Sequence, residues 1–182
     1  MGTYSQCVVD RDVSNENANE VAKNIIQWLS AEGIIQSELE HCVLSQKEFG
    51  YRPGKNSSLV TQGGEAVYES AVNGLELIIK REASINNQGD FESILCPNCN
   101  TKSPQDKTWS NAVTDWYEGG QGQLECVHCK HTTPVSEWEH IDPWGFGELT
   151  FKFWNWPSLS EAFINQLAEK LGHRTILICG KV

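Results

Sequence analysis

Cys96-Pro97-Asn98-Cys99 and Cys126-Val127-His128-Cys129 are two Cys-x-x-Cys turns, and their reading decides how the rest of the chain is organised. Four thiolates on two tight turns surround a tetrahedral ion at about 2.3 Å and leave no coordination position open, the arrangement of a structural rather than a catalytic zinc site. Cys96, Cys99, Cys126 and Cys129 are therefore the expected ligands of a structural Zn²⁺. Asn100, directly after the first turn, tolerates the left-handed backbone that such turns need. Neither pair stands at the strand-to-helix junction of a redox dithiol. His128 and His131 flank the second turn and are expected in solvent, because four thiols already complete the ligand set. Between the turns, Trp109, Ala112, Val113, Trp116 and Tyr117 fall at helical spacing, and Gly119-Gly120 ends the helix. Residues 93–138 thus read as an inserted zinc ribbon with a short helix between its knuckles.

Working outward, the flanking segments, 1–92 and 139–182, read as one α+β sandwich domain. Tyr4 to Asp10 is strand-like, and Ala18, Val21, Ala22, Ile25, Trp28 and Leu29 then form one helical stripe, with Asn17 as N-cap and Gly33 as the stop. His41 to Leu44 reads as a short extended piece and Gly50 to Lys55 as a surface loop. Val67 to Val72 and Leu75 to Arg81 read as strands joined by a type I′ turn at Asn73-Gly74. After the ribbon, Leu149, Phe151 and Phe153 alternate with Thr150 and Lys152 as in a half-buried strand. Ser158 and Glu161 suit the start of a helix carrying Leu159, Phe163, Leu167 and Leu171, and Thr175 to Cys179 is a further strand. The order, with the ribbon and the loop before residue 66 removed, is βαββαβ, a ferredoxin-like sheet. That topology predicts the strands at Tyr4–Asp10 and Thr175–Cys179 to be antiparallel neighbours.

Net charge is −10, with 24 acidic against 14 basic residues among 182. Non-specific nucleic-acid affinity comes mainly from Lys and Arg on phosphates, and the longest basic run here is Lys80-Arg81. No apolar run reaches the roughly 18 residues that a membrane span needs, and the first residues lack the pattern of a signal peptide, so a cytoplasmic protein is expected. Seven cysteines with no export signal argue against a disulfide framework, and Cys7, Cys42 and Cys179 are expected as buried thiols.

Three further features bear on function. Gly50 to Asn56 is one residue short of a phosphate-binding loop and has Asn56 where a Ser or Thr should hold Mg²⁺, so no nucleotide is expected. Trp144, Phe146, Trp154 and Trp156 belong to a dense aromatic segment that, if exposed, would form a partner-binding surface. No hydrolase, metalloprotease or deaminase signature is present, and the pair His140 and Asp142 reads as polar surface.

The segments Gly50-Tyr-Arg-Pro-Gly54, Asn73-Gly-Leu-Glu76, Cys96-Pro-Asn-Cys99, Trp144-Gly-Phe-Gly147, Phe153-Trp-Asn-Trp-Pro157 and Leu171-Gly-His-Arg174 resemble a family of uncharacterised bacterial zinc-ribbon proteins, over nearly the whole chain. Some members carry the label of sugar ABC transporter ATPases, which the incomplete phosphate loop does not support. The resemblance implies a bacterial protein with a ribbon and no catalytic residues. The leading expectation is a non-enzymatic zinc-binding protein that acts as a protein-interaction module, with an inhibitory or immunity-like role as its specific form. A nucleic-acid-associated ribbon is the alternative, and an enzyme with an unrecognised site the third.

Overall fold

Alternation along Leu149-Thr150-Phe151-Lys152-Phe153 turns three apolar side chains to one face of a strand, and two helices bury that face. The computed structural model describes residues 3–45, 48–86 and 93–181. In chain order, β1 (Tyr4–Asp10) leads into α1 (Asn15–Ala31), a hairpin of β2 (Ile35–His41) and β3 (Phe49–Pro53), and β4 (Leu75–Ile85). The metal segment holds β5 (Ser93–Leu95), β6 (Lys102–Pro104), α2 (Lys107–Tyr117), β7 (Gln123–Glu125), β8 (Thr132–Pro134) and β9 (Glu139–His140). Then come β10 (Trp144–Trp154), α3 (Glu161–Leu171) and β11 (Thr175–Lys181). The main sheet has the order β11-β1-β10-β4-β3-β2, and every neighbouring pair is antiparallel. The chain is a mixed α+β protein. β1 and β11 are neighbours as expected, with Gln6 opposite Cys179 and Cys7 opposite Ile178.

Ala18, Ala22, Ile25 and Leu29 of α1, with Phe163, Leu167 and Leu171 of α3, pack on Val8, Leu75, Leu149, Phe151 and Phe153. Both helices end where their chemistry dictates. Gly33 follows α1 in the left-handed region (φ 68°), and Gly172 caps α3 at φ 71°. The caps at the other ends differ from expectation: Ser14, not Asn17, is the N-cap of α1, and Ser160, not Ser158, that of α3. Ser160 Oγ accepts from the Phe163 amide at 3.2 Å.

Cys7, Val9, Ile176 and Ile178 cluster on the opposite face, and Val9 is fully buried there although no helix among the described residues joins the cluster. β10 supplies the cover. The register between β10 and β4 shifts between Gly147 and Leu149, and beyond that point the strand pair bends over β1 and β11. A Cβ on Gly145 would sit 2.7 Å from Val9 Cγ2 and 3.1 Å from both Ile176 and Ile178, so only glycine permits the approach. This bend explains why β4 and β10 run well past the expected Arg81 and Glu148 boundaries, to Ile85 and back to Trp144.

Two local expectations are corrected. Residues 65–74 form no strand, and neither Asn73 nor Gly74 has the positive φ of a type I′ turn. Asn73 is buried instead: its Nδ2 donates to the Tyr68 carbonyl at 2.6 Å, its Oδ1 accepts from Arg52 Nη1 at 2.7 Å, and its amide donates to Cys42 O. A buried residue with its side-chain amide and backbone N–H committed inward cannot sit at a solvent turn. The second correction concerns Gly50 to Pro53, which lie in strand β3 rather than a loop, while Ile35–His41 supplies its partner, ahead of the expected extended piece at 41–44. Cys7 and Cys42 are buried as expected; Cys179 is exposed.

Candidate metal centre

Each Cys-x-x-Cys turn is the tip of a two-stranded hairpin. β5 delivers Cys96 and β6 leaves from Thr101; β7 delivers Cys126 and β8 leaves from His131. The backbone bonds correspond: Asn100 N–H donates to Cys96 O and Lys130 N–H to Cys126 O, both at 2.9 Å, and Cys96 and Cys126 N–H donate to the carbonyls of Thr101 and His131. Asn100 and Lys130 both take the left-handed conformation, at φ 59° and 61°. Asn100 does so as its side chain allows; Lys130 accepts the steric cost because the turn requires it.

The hairpins face each other across the four sulfurs, which all lie within 4.8 Å of one another. Cys96 and Cys129 Sγ are 3.8 Å apart, and Cys99 and Cys126 Sγ 3.7 Å apart. Four sulfurs at about 2.3 Å from a common ion stand about 3.8 Å apart along each tetrahedral edge, so the group fits a metal ion. Cys96 and Cys126 are buried, whereas Cys99 and Cys129 are partly exposed. Without an ion the thiols differ accordingly. Burial pushes the Cys96 thiol up to about 11. Asn98 Nδ2, 3.4 Å from Cys129 Sγ, is the first cause that pulls that thiol down to about 6, followed by the His131 backbone. Hydrogen bonding from Thr101 lowers Cys99. An enclosed thiolate such as Cys96 needs a positive partner, which a divalent ion supplies. His128 and His131 are exposed, as expected.

A second apolar cluster encloses the hairpins: Ile94, Ala112, Trp116, Leu124, Val135, Trp138 and Phe146 join Cys96, Cys126 and Ala83. Asp106 caps α2 by accepting from the Thr108 and Trp109 amides, which aims Trp109 inward. Trp109 Nε1 donates to His140 Nε2 at 3.2 Å, and His140 Nδ1 lies 3.0 Å from Trp138 O. An indole N–H only donates and a carbonyl only accepts, so the imidazole is neutral with its proton on Nδ1. Burial, more than any neighbour, pushes His140 down to about 4. The expectation of His140 as polar surface is thus corrected. With both nitrogens engaged by Trp109 and Trp138, this histidine is part of the packing.

The expected partner surface is also corrected. Phe146 (2% exposed) and Trp144 (half-buried) pack with His140, and Trp144 meets Trp109 edge-on at 5.2 Å. Trp154 (3%) donates from Nε1 to Glu76 Oε2 at 2.8 Å, under the Lys152 ammonium; Trp156 (4%) packs edge-on against Phe153. Phe146, Trp154 and Trp156 thus complete cores, and Trp144 packs half-buried against the cluster around the hairpins. The incomplete phosphate loop is likewise occupied: Asn56 Nδ2 donates to Glu32 O and Gly54 N–H to Ile34 O.

Charged residues that the sequence reading passed over tie the metal segment to the sheet. Arg174 makes two-pronged contacts with Asp12 and with Glu137, and Arg11 donates to Ser136 O. Hydrogen bonding from Arg174 holds both Asp12 and Glu137 below the usual carboxylate range. Asp10, fully buried, accepts from the Asp12 and Val13 amides and meets His173 Nδ1 at 2.8 Å. The one available signal was an acid closing an apolar strand, Val8-Val9-Asp10. No helix among the described residues is long and apolar enough to cross a membrane. Compared with family models, curated proteins and solved structures, the chain matches none.

Proposed function

We propose that the four cysteines hold a structural Zn²⁺ and that this is a cytoplasmic protein that works by binding another protein, with no chemistry at the metal. The observation that carries the first half is the sulfur spacing of 3.7 and 3.8 Å across two knuckles that are themselves fixed by matching backbone bonds. When bound, zinc supplies only cross-linking charge neutralisation; Cys96 and Cys126 hold it from the buried side, and Cys99 and Cys129 from the open side. The strand order β11-β1-β10-β4, with α1 and α3 on one face, supports a ferredoxin-like reading of the central unit, to which the β2–β3 hairpin is added. The partner reading draws on the acidic charge of −10 and on His140, whose two ring nitrogens are both taken up by Trp109 and Trp138. It is favoured over nucleic acid because the ribbon's Lys102, Lys107 and Lys130 stand among Asp106, Glu118 and Glu125, and Lys130 already pairs with Glu125.

Reduced, purified protein is expected to carry one zinc per chain by elemental analysis, and Cys96→Ser to lose it together with several kcal/mol of stability, structural zinc sites in small peptides being worth about 10–16 kcal/mol. Protein that folds to the same stability with no metal would sink this reading.

A further inference from the structure

With Phe146, Trp154 and Trp156 buried, three of the large apolar side chains left in solvent fall together on a different surface, while Leu59, Tyr68 and Val127 are exposed elsewhere. Leu39, Leu44 and Phe49 are each about half exposed or more and all belong to the β2–β3 hairpin. β2 ends the order of the main sheet, so its outer backbone edge is unpaired among the described residues. Only Tyr51 of β3 registers with β4, at Leu75, and from Gln36 to His41 every residue of β2 is exposed. β3 is anchored, with Tyr51 packed against the helix-covered core and Arg52 bonded to Ser70 O and Asn73 Oδ1, so the bare part of the hairpin is β2 with its two faces.

Those faces differ. Leu39 opposes Tyr51 and His41 opposes Phe49, with the His41 and Phe49 rings 4.1 Å apart, so one face is apolar and aromatic. The register of β2 against β3 shifts between Ile35 and Leu39, and beyond that shift alternation puts Glu40, with Glu38 at its edge, on the other face. Arg52 already engages Glu40 at 3.2 Å, while Glu38 has no ion pair among the described residues. Open strand edges recruit extended segments through backbone hydrogen bonds, and the side-chain pattern then sets which segment fits.

We propose that the outer edge of β2 is the docking site for an extended segment of a partner protein in which basic and apolar side chains alternate. The basic side chains lie along Glu38 and Glu40 and the apolar ones along Leu39, beside the His41 ring that Phe49 backs from β3, and the charge of −10 on the whole chain favours a basic partner. A second copy of this chain is a poorer occupant, because antiparallel pairing of β2 with itself sets acidic residues against acidic residues. The proposal rests on the protein-binding reading and names its surface and the chemistry of its partner.

The test titrates the full-length, metal-loaded chain, labelled for amide NMR, with a short acetylated and amidated peptide alternating lysine and valine, and with its glutamate–valine counterpart. The basic peptide is expected to shift the amides of Gln36–His41 and to slow exchange at alternate ones, and the acidic peptide to leave them unmoved. Glu38→Lys, at an exposed site, is expected to weaken binding about fivefold. Leu39→Asp is expected to weaken it further, each with unchanged amide dispersion elsewhere. Perturbation away from β2, equal response to both peptides, no response at millimolar peptide, or self-association of the free chain through β2 would each overturn the assignment. A native partner captured equally well by the wild type and by both variants would remove this surface while leaving the partner reading intact.

Discussion

His140 illustrates how far a residue's meaning depends on contacts distant in sequence. The cysteines are legible because their geometry is local: the turn, the spacing and Asn100 lie within five residues of one another. His140 belongs to a core built from α2, β5 and β10, and nothing beside it in the chain announces that burial. The same holds for Trp144, Phe146, Trp154 and Trp156, where a tryptophan-rich sequence is compatible equally with surface and core. Burial of His140 has a measurable consequence. Its folded pKa of about 4 lies below the ordinary 6.5, so the unfolded chain takes up the proton first. The contribution is fully present above about pH 6.5 and is lost as pH falls toward 4, amounting to about 3 kcal/mol. Urea unfolding at pH 7 and pH 4.5 is expected to show a smaller acid loss for His140→Gln than for the wild type, since carboxylates titrate in both. Identical losses would mean that the imidazole is protonated in the folded protein.

At the scale of elements, strongly patterned pieces were readable and weakly patterned ones were not. The stripes of α1 and α3 and the alternation of β10 each bury one face, so sequence period and structure agree. β2 has one buried residue, Ile35, followed by six exposed ones, and a strand with no inner face leaves no period to read. Asn73-Gly74 misled for another reason: a strong turn dipeptide was outcompeted by buried partners at Tyr68, Cys42 and Arg52. The bend of β10 is set by residues that look incidental in sequence. A Cβ on Gly147 would strike the Asp10 carbonyl and approach Val9 Cγ1 to 2.7 Å, and backbone cannot yield as a side-chain tip does. Gly147→Ala is therefore expected to cost about 2–3 kcal/mol in denaturant unfolding. A neutral result would show that β10 can lift away from β1 at little cost.

At the scale of the whole molecule, β4 and β10 pass through both apolar clusters. Leu75 and Phe153 lie in the helix-covered core, while Ala83 and Phe146, on the far side of the register shift, lie against the metal hairpins. The Arg174 contacts to Asp12 and Glu137 make a second, solvent-side connection between the two regions. Unfolding of the metal-loaded chain is therefore expected as one transition, seen alike by tryptophan fluorescence and far-ultraviolet circular dichroism. Two resolved transitions, with only the first sensitive to chelator, would show that the clusters melt separately. The continuity of these two strands carries a thermodynamic corollary. An ion bound only by the native hairpins shifts the folding equilibrium of everything cooperative with them, by about 1.4 kcal/mol for each tenfold rise in free metal above its dissociation constant. With a metal ion on the four cysteines, free metal would act as a rheostat for strands the ion never touches, and the folded fraction of the chain would become a readout of metal supply.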